Sequence, residues 1–343
     1  LQRVAVMCTD GITRTVNVDK SLNYPAGWMV RIDVTPEGEN VTAIENRTIS
    51  GTVSADATML GDHKLADDVQ ILDTTTEGVA GTVRPSRLSG TKLNMLNVRY
   101  YTLNDNGEID RLILNDVTGD LWKYGVLDDI RNIAANLPST KTPATAGDSE
   151  GEGSDGTTQV LKDLRSVLVP TTSEILWGVI NGDILQTVWN KVTSSTGSLV
   201  SIGVKQLAKV VGEPYGTILN YVGGGATYVC YVNGQLTSYT TSIKYPVLAG
   251  GLAVRQEVNG SVKAMIQLMP MKIDKVGAAS VLSGSTRYEV ADNAQVYLWY
   301  KGQYYATKLA EVNSDDYYLT GWYDNFGCAA GKRVRVIVAV KKD

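Results

Sequence analysis

Two adjacent acid pairs, Asp67-Asp68 and Asp315-Asp316, and a single histidine, His63, are the groups acid–base chemistry would draw on first in this chain. A glycosidase needs two carboxylates converging across a cleft, whereas neighbours on a strand point to opposite faces. Neither pair is therefore read as catalytic. His63 lies in Gly61-Asp62-His63-Lys64 and is read as a solvent-exposed turn residue. One histidine excludes multi-histidine metal sites and leaves a nucleophile–histidine dyad a single candidate base. No catalytic residue is assigned, no cofactor is expected, and the chain is read as non-enzymatic.

The acidic stretch Asp148, Glu150, Glu152 and Gly153 fits positions 1, 3, 5 and 6 of a calcium loop. Position 12 is Gln159, which lacks the bidentate carboxylate such a loop requires. A solvated linker is the first reading of this stretch, and a calcium site is the alternative. Cys8, Cys230 and Cys328 are too few for a disulfide framework and lack C-x-x-C spacing, so they read as buried free thiols. A Cys230–Cys328 bridge stays open as the other option.

The densest chemical feature is aromatic: Tyr297, Trp299, Tyr300, Tyr304 and Tyr305, then Tyr317, Tyr318, Trp322 and Tyr323. Exposed rings stack on sugars or grip proteins at low entropic cost. Tyr297, Trp299, Tyr304 and Trp322 are the ligand-binding candidates. Core packing and cross-strand pairing compete for the same residues.

The surroundings of these groups follow from size and charge. The 343 residues suggest about two domains. With 32 basic and 36 acidic side chains the net charge is −4, so there is no basic footprint for nucleic acid or anionic lipid. No apolar run reaches membrane-spanning length, and no membrane insertion is expected. The chain begins at Leu1 without Met or a signal segment, and is expected to be a piece of a longer protein. Tyr outnumbers Phe 18 to 1, which suits sheets with a wet face.

An internal repeat organises the chain. VMCTDG at Val6–Gly11 matches VCYVNG at Val229–Gly234, and Tyr24-Pro25 matches Tyr245-Pro246. LADDVQIL from Leu65 recurs as VADNAQVY from Val290, and IDRLIL from Ile109 recurs as VRVIVA from Val334. The offset stays between 221 and 225 residues. Alternating runs such as Met29–Val34, with Asp-Gly and Asn-Gly between runs, predict hairpins. The fold class is therefore mainly β: two homologous antiparallel β-barrel or sandwich modules, at 1–120 and 214–343.

The interval 121–213 reads as a linker and helical insertion. Pro138–Thr158 is rich in Pro, Gly, Ser, Thr and acid. Beyond it, Val160–Leu168, Ile175–Val192 and Leu199–Val211 carry apolar residues at helical spacing, with Val126–Leu137 as an added element of a small bundle.

NVRYYTLNDNGEIDRLILNDVTGDLWKYGV at Asn97–Val126, and VADNAQVYLWYKGQYY with GKRVRVIVAV near the end, resemble the β-repeat regions of cell-surface proteins with S-layer homology domains from gut Firmicutes. The resemblance implies an extracellular, cell-wall-associated parent, with repeats outside the wall anchor and no catalytic residues to carry over. The functional expectation is a structural or interaction segment, with a glycan-binding module as the alternative. Cell-wall or host glycans, or surface proteins, are the expected partners.

Overall fold

The computed structural model describes residues 2–19, 24–132, 225–247 and 249–343. Of these, 58% lie in strands and 3% in helices. The expected helices between 160 and 211, and the candidate calcium stretch Asp148, Glu150 and Glu152, lie outside the described residues.

The first body opens with two hairpins, β1 (Gln2–Met7) with β2 (Thr13–Val18), and β3 (Val30–Thr35) with β4 (Gly38–Ala43). Short strands β5 (Gly51–Thr52) and β6 (Met59–Leu60) lead into the long β7 (His63–Thr74). Then come β8 (Ala80–Thr82), a 3₁₀ turn at Pro85–Leu88, β9 (Lys92–Leu93), β10 (Val98–Leu103) and β11 (Ile109–Asn115). β12 (Lys123–Asn132) leaves this body.

The second body has a similar but not identical order. Hairpin strands β13 (Ala226–Val232), β14 (Gln235–Thr241), β15 (Gly250–Gln256) and β16 (Val262–Gln267) come first. β17 (Met269–Ile273), β18 (Lys275–Val276), β19 (Ser280–Ser283) and the long β20 (Thr286–Tyr300) follow. β21 (Gln303–Thr307), a 3₁₀ turn at Leu309–Glu311, β22 (Tyr317–Tyr323) and β23 (Val334–Lys341) end the chain. In the β13–β14 turn Asn233 and Gly234 both adopt positive φ, as a two-residue hairpin loop requires.

Each body holds a mixed sheet, ordered β10-β11-β7-β6 in the first and β22-β23-β20-β19 within the second. β11 runs parallel to β7, and β23 parallel to β20. The wholly antiparallel expectation is corrected at these two pairs, because alternation reports which face a side chain takes and not which way the neighbouring strand runs. The registers coincide residue for residue. Leu65 faces Ile109 and Gln70 faces Arg111, while Val290 faces Val334 and Gln295 faces Val336. Both pairs carry the irregularity at the same place. β11 also carries one extra residue opposite Thr102–Leu103 of β10, and this bulge puts Ile109 and Leu112, three apart, on one face. Both are buried there with Leu60, Leu65, Leu88 and Leu114.

β12 is the middle strand of the second body's other sheet, ordered β14-β13-β12-β15-β16. This sheet curls until β14 nears β16, closing over Tyr228, Cys230, Leu252 and Met265. Its opposite face packs on the mixed sheet through Tyr124, Val126, Ala253, Tyr297, Val336 and Val338. Residues 126–132, expected to join a helical bundle, are thus strand. A bulge between Leu127 and Asp129 breaks the alternation, so Val126, Leu127 and Ile130 imitate helical spacing.

Candidate functional site: the junction and the groove

The segment between β11 and β12 is bound by both bodies. From the first, the buried Asp73 accepts hydrogen bonds from the backbone N–H of Val117 (3.0 Å) and of Thr118 (3.0 Å), and from the Thr118 hydroxyl (2.7 Å). From the second comes Arg335 on β23, whose side chain is fully buried. Its Nε donates to Asp324 at 2.8 Å, Nη1 to Asp120 at 2.6 Å and Asn293 at 3.0 Å, and Nη2 to the Thr118 carbonyl at 2.9 Å. The planar guanidinium fork suits this multidentate role in a way an ammonium does not.

Arg87 of the first body meets the same loop, donating to Asp120 at 3.0 Å, the Thr118 carbonyl at 2.9 Å and the Ala330 carbonyl at 2.8 Å. Burial pushes the Asp120 carboxyl up, but hydrogen bonds from Arg87 and Arg335 outweigh it and hold the group below its ordinary range. Nearby, Trp122 stacks on Phe326 with centroids 4.3 Å apart and donates to Asp116. Burial raises the Asp116 pKa despite that bond. Arg255 bridges back to Glu77 at 2.7 Å. These contacts fix the orientation of β12 as it enters the second body.

The second feature is a groove of about 1260 Å³ between β1 and β3. Its floor is the upper face of the first mixed sheet, with Gln70, Leu72, Thr74, Arg111 and Ile113. Trp28, 54% exposed, stands on the rim against Tyr24 in an edge-on contact. Arg14 and Asp10 pair at the β1–β2 turn. The Arg14 hydrogen bond, aided by the Ile12 N–H, lowers the Asp10 pKa to about 2. Arg99 donates to the Gly27 carbonyl at 2.6 Å and the Thr74 hydroxyl at 3.0 Å, tying the groove's inner end to its floor. The composition of β1 and β3 gives no sign of this site. It arises because β1 and β3 flank a sheet without pairing with each other.

The aromatic candidates are placed differently. Tyr297, Trp299 and Tyr304 share one face of the β20–β21 hairpin, and Trp322 lies on that face two strands away. That is the face covered by the β12 sheet. Tyr297 is fully buried, Tyr304 packs against Tyr231 with centroids 5.4 Å apart, and Trp322 lies beneath Gly250 and Gly251. Of the four, Trp299 alone is exposed, so they do not form one accessible platform. Exposed rings near it are Tyr300 and Tyr305, on the other face of the hairpin.

Asp67 and Asp68 are both exposed on β7, where the bulge interrupts alternation. Asp315 and Asp316 lie in a turn held by Asn313, which accepts from both backbone N–H groups. His63 opens β7 opposite Leu60 and is half-buried, so it belongs to a strand and not to the turn expected for it. All three cysteines are free, with Cys230 buried and the other two half-buried. Among the described residues, no group of three or more His, Cys, Asp or Glu gathers to hold a metal, and no helix is long and apolar enough to cross a membrane. Compared with protein-family models, curated proteins and solved structures, the chain finds no match.

Proposed function

We propose that this chain is a non-catalytic structural and interaction segment of an extracellular, cell-wall-associated bacterial protein of the S-layer type, built from two copies of one β module. The observation that carries the reading is the passage of β12 out of the first body into the middle of the second body's sheet. A strand hydrogen-bonded on both edges transmits tension by shear, and the loop before it is anchored by Asp73 and Arg335. That arrangement suits a spacer that must keep its modules in fixed order. The coincident registers of the β7–β11 and β20–β23 pairs support a duplicated module.

Single-molecule pulling on the full chain tests this reading. Two separate unfolding events are expected, with β12 released together with the second body. Smooth extension without a resisting event contradicts a spacer role.

A glycan-binding module is the second reading, favoured by the exposed Trp299, Tyr300 and Tyr305 at the tip of the β20–β21 hairpin. Binding on a glycan array that is lost in Trp299→Ala supports it, and silence across a broad array removes it.

A further inference from the structure

The groove of the first body has the shape of a missing strand. In the second body β12 lies between β13 and β15 and pairs antiparallel with both. The sequence partners of those two strands are β1 and β3. Among the described residues, β1 pairs only with β2, and β3 only with β4. β2 nevertheless nears β4 on the far side, as β14 nears β16. The two hairpins thus approach each other on one side, and the groove opens between β1 and β3 on the other.

The floors agree as well. Gln70, Leu72, Arg111 and Ile113 occupy the register positions of Gln295, Tyr297, Val336 and Val338. In the second body those residues meet Tyr124 and Val126 of β12. Gln295 Oε1 accepts from the N–H of Asn233 in the β13–β14 turn, and its Nε2 donates to the Tyr124 carbonyl of the inserted strand. Gln70 Oε1 accepts from the hydroxyl of Thr9 in the β1–β2 turn at 2.7 Å. Its Nε2 has no hydrogen-bond partner among the described residues and is the donor a strand in the groove would use.

We propose that the groove between β1 and β3 is an acceptor site for one extended strand of the β12 type, the strand that trails another module of this kind. This deepens the spacer reading and rests on its tandem logic, with the first body receiving from a preceding module what it gives to the second. Backbone ladders on both edges supply affinity, and pockets for alternate side chains supply selectivity. The occupant runs antiparallel to β1 and β3, and its residue in the place of Val126 lies between Cys8 and Val30. Apolar side chains in the Tyr124 and Val126 positions face Leu72 and Ile113. Leu72 and Thr102 are smaller than Tyr297 and Trp322 at the matching positions, while Arg111 and Ile113 are larger than Val336 and Val338, so the two floors differ in relief.

The test uses the full chain and a capped synthetic peptide of β12, Lys123–Asn132. Saturable binding is expected, with slowed amide hydrogen exchange at Val4–Met7 and Val30–Asp33 and no change at β13 or β15. Gln70→Leu is expected to weaken binding by about 2- to 10-fold, the loss of one hydrogen bond. A peptide carrying Val126→Asp should not bind, and this arm carries no folding risk for the chain. Protection at β13 and β15 instead of β1 and β3, or absence of binding, overturns the proposal. The two-event pulling record stands independently of either result, so failure of the acceptor site is distinguishable from failure of the spacer reading.

Discussion

The guanidinium of Arg335 lies over the ring of Tyr124, 4.6 Å from its centroid, joining the last strand of the chain to the strand that crosses between bodies. The Tyr124 hydroxyl in turn donates to the Gly119 carbonyl at 2.6 Å. One buried cation therefore organises the loop, the crossing strand and the final sheet together.

Replacing Arg335 by Leu removes this cation and leaves Asp324, itself 1% exposed, charged without its partner. Breaking one side of such a buried pair costs about 3–5 kcal/mol. Arg335→Lys should recover little, since one ammonium does not reach Asp324, Asp120 and the Thr118 carbonyl together. Urea denaturation of the two variants checks both statements.

Gly251 faces Trp322, and a Cβ there would lie 2.6 Å from the tryptophan Cβ. Gly251→Ala should therefore destabilise by about 1–3 kcal/mol through overpacking of the sheet interface. Trp322→Leu added to it should restore little of the loss, because leucine keeps the Cβ and Cγ atoms that the added methyl would meet at 2.6 and 2.7 Å. Thermal melts of the single and double variants decide the matter.

Acid should weaken the junction in a definite direction. Asp120 has a folded pKa below its unfolded value of about 3.9, so its contribution is complete above that value and disappears as pH falls through the folded one. Asp116, raised by burial, works in the opposite sense: its ionised form is disfavoured in the fold, and protonation relieves that cost. Stability should fall below about pH 4, and Asp120→Asn should flatten the fall. Urea midpoints measured from pH 3 to 7 would show it.

Burial pushes the Cys230 thiol up to about 12 and raises that of Cys328 as well. Neither should react appreciably with iodoacetamide at pH 8 while the fold persists, and both should label fully in denaturant. Mass spectrometry of peptides after timed labelling reads this out.

Much of this architecture was legible in the sequence. The alternation in Ile109–Leu114 and the Asn-Gly turns marked strands and hairpins, and the collinear matches marked regions whose registers coincide. Three things were hidden for physical reasons. Strand direction leaves no trace in alternation, so the parallel β7–β11 pair was invisible. A single bulge at Leu127–Asp129 disguised β12 as part of a helix. The groove arises because, among the described residues, no strand pairs with the inner edges of β1 and β3, and an unfilled edge leaves no residue to read. The aromatic cluster supported both a core and a surface reading, because ring chemistry is the same on either face. The β12 sheet covers the face that carries Tyr297 and Trp322.

The measurement closest to the central claim is hydrogen exchange along β12 in the full chain carrying Leu112→Ala, a change in the core beneath β7 and β11 worth about 2–5 kcal/mol. If β12 belongs energetically to the second body, amides at Val126 and Leu127 keep the slow exchange of Cys230 and Leu252 while β7 and β11 speed up. If they speed up in step with β7 and β11, the strand is not handed across and the account fails.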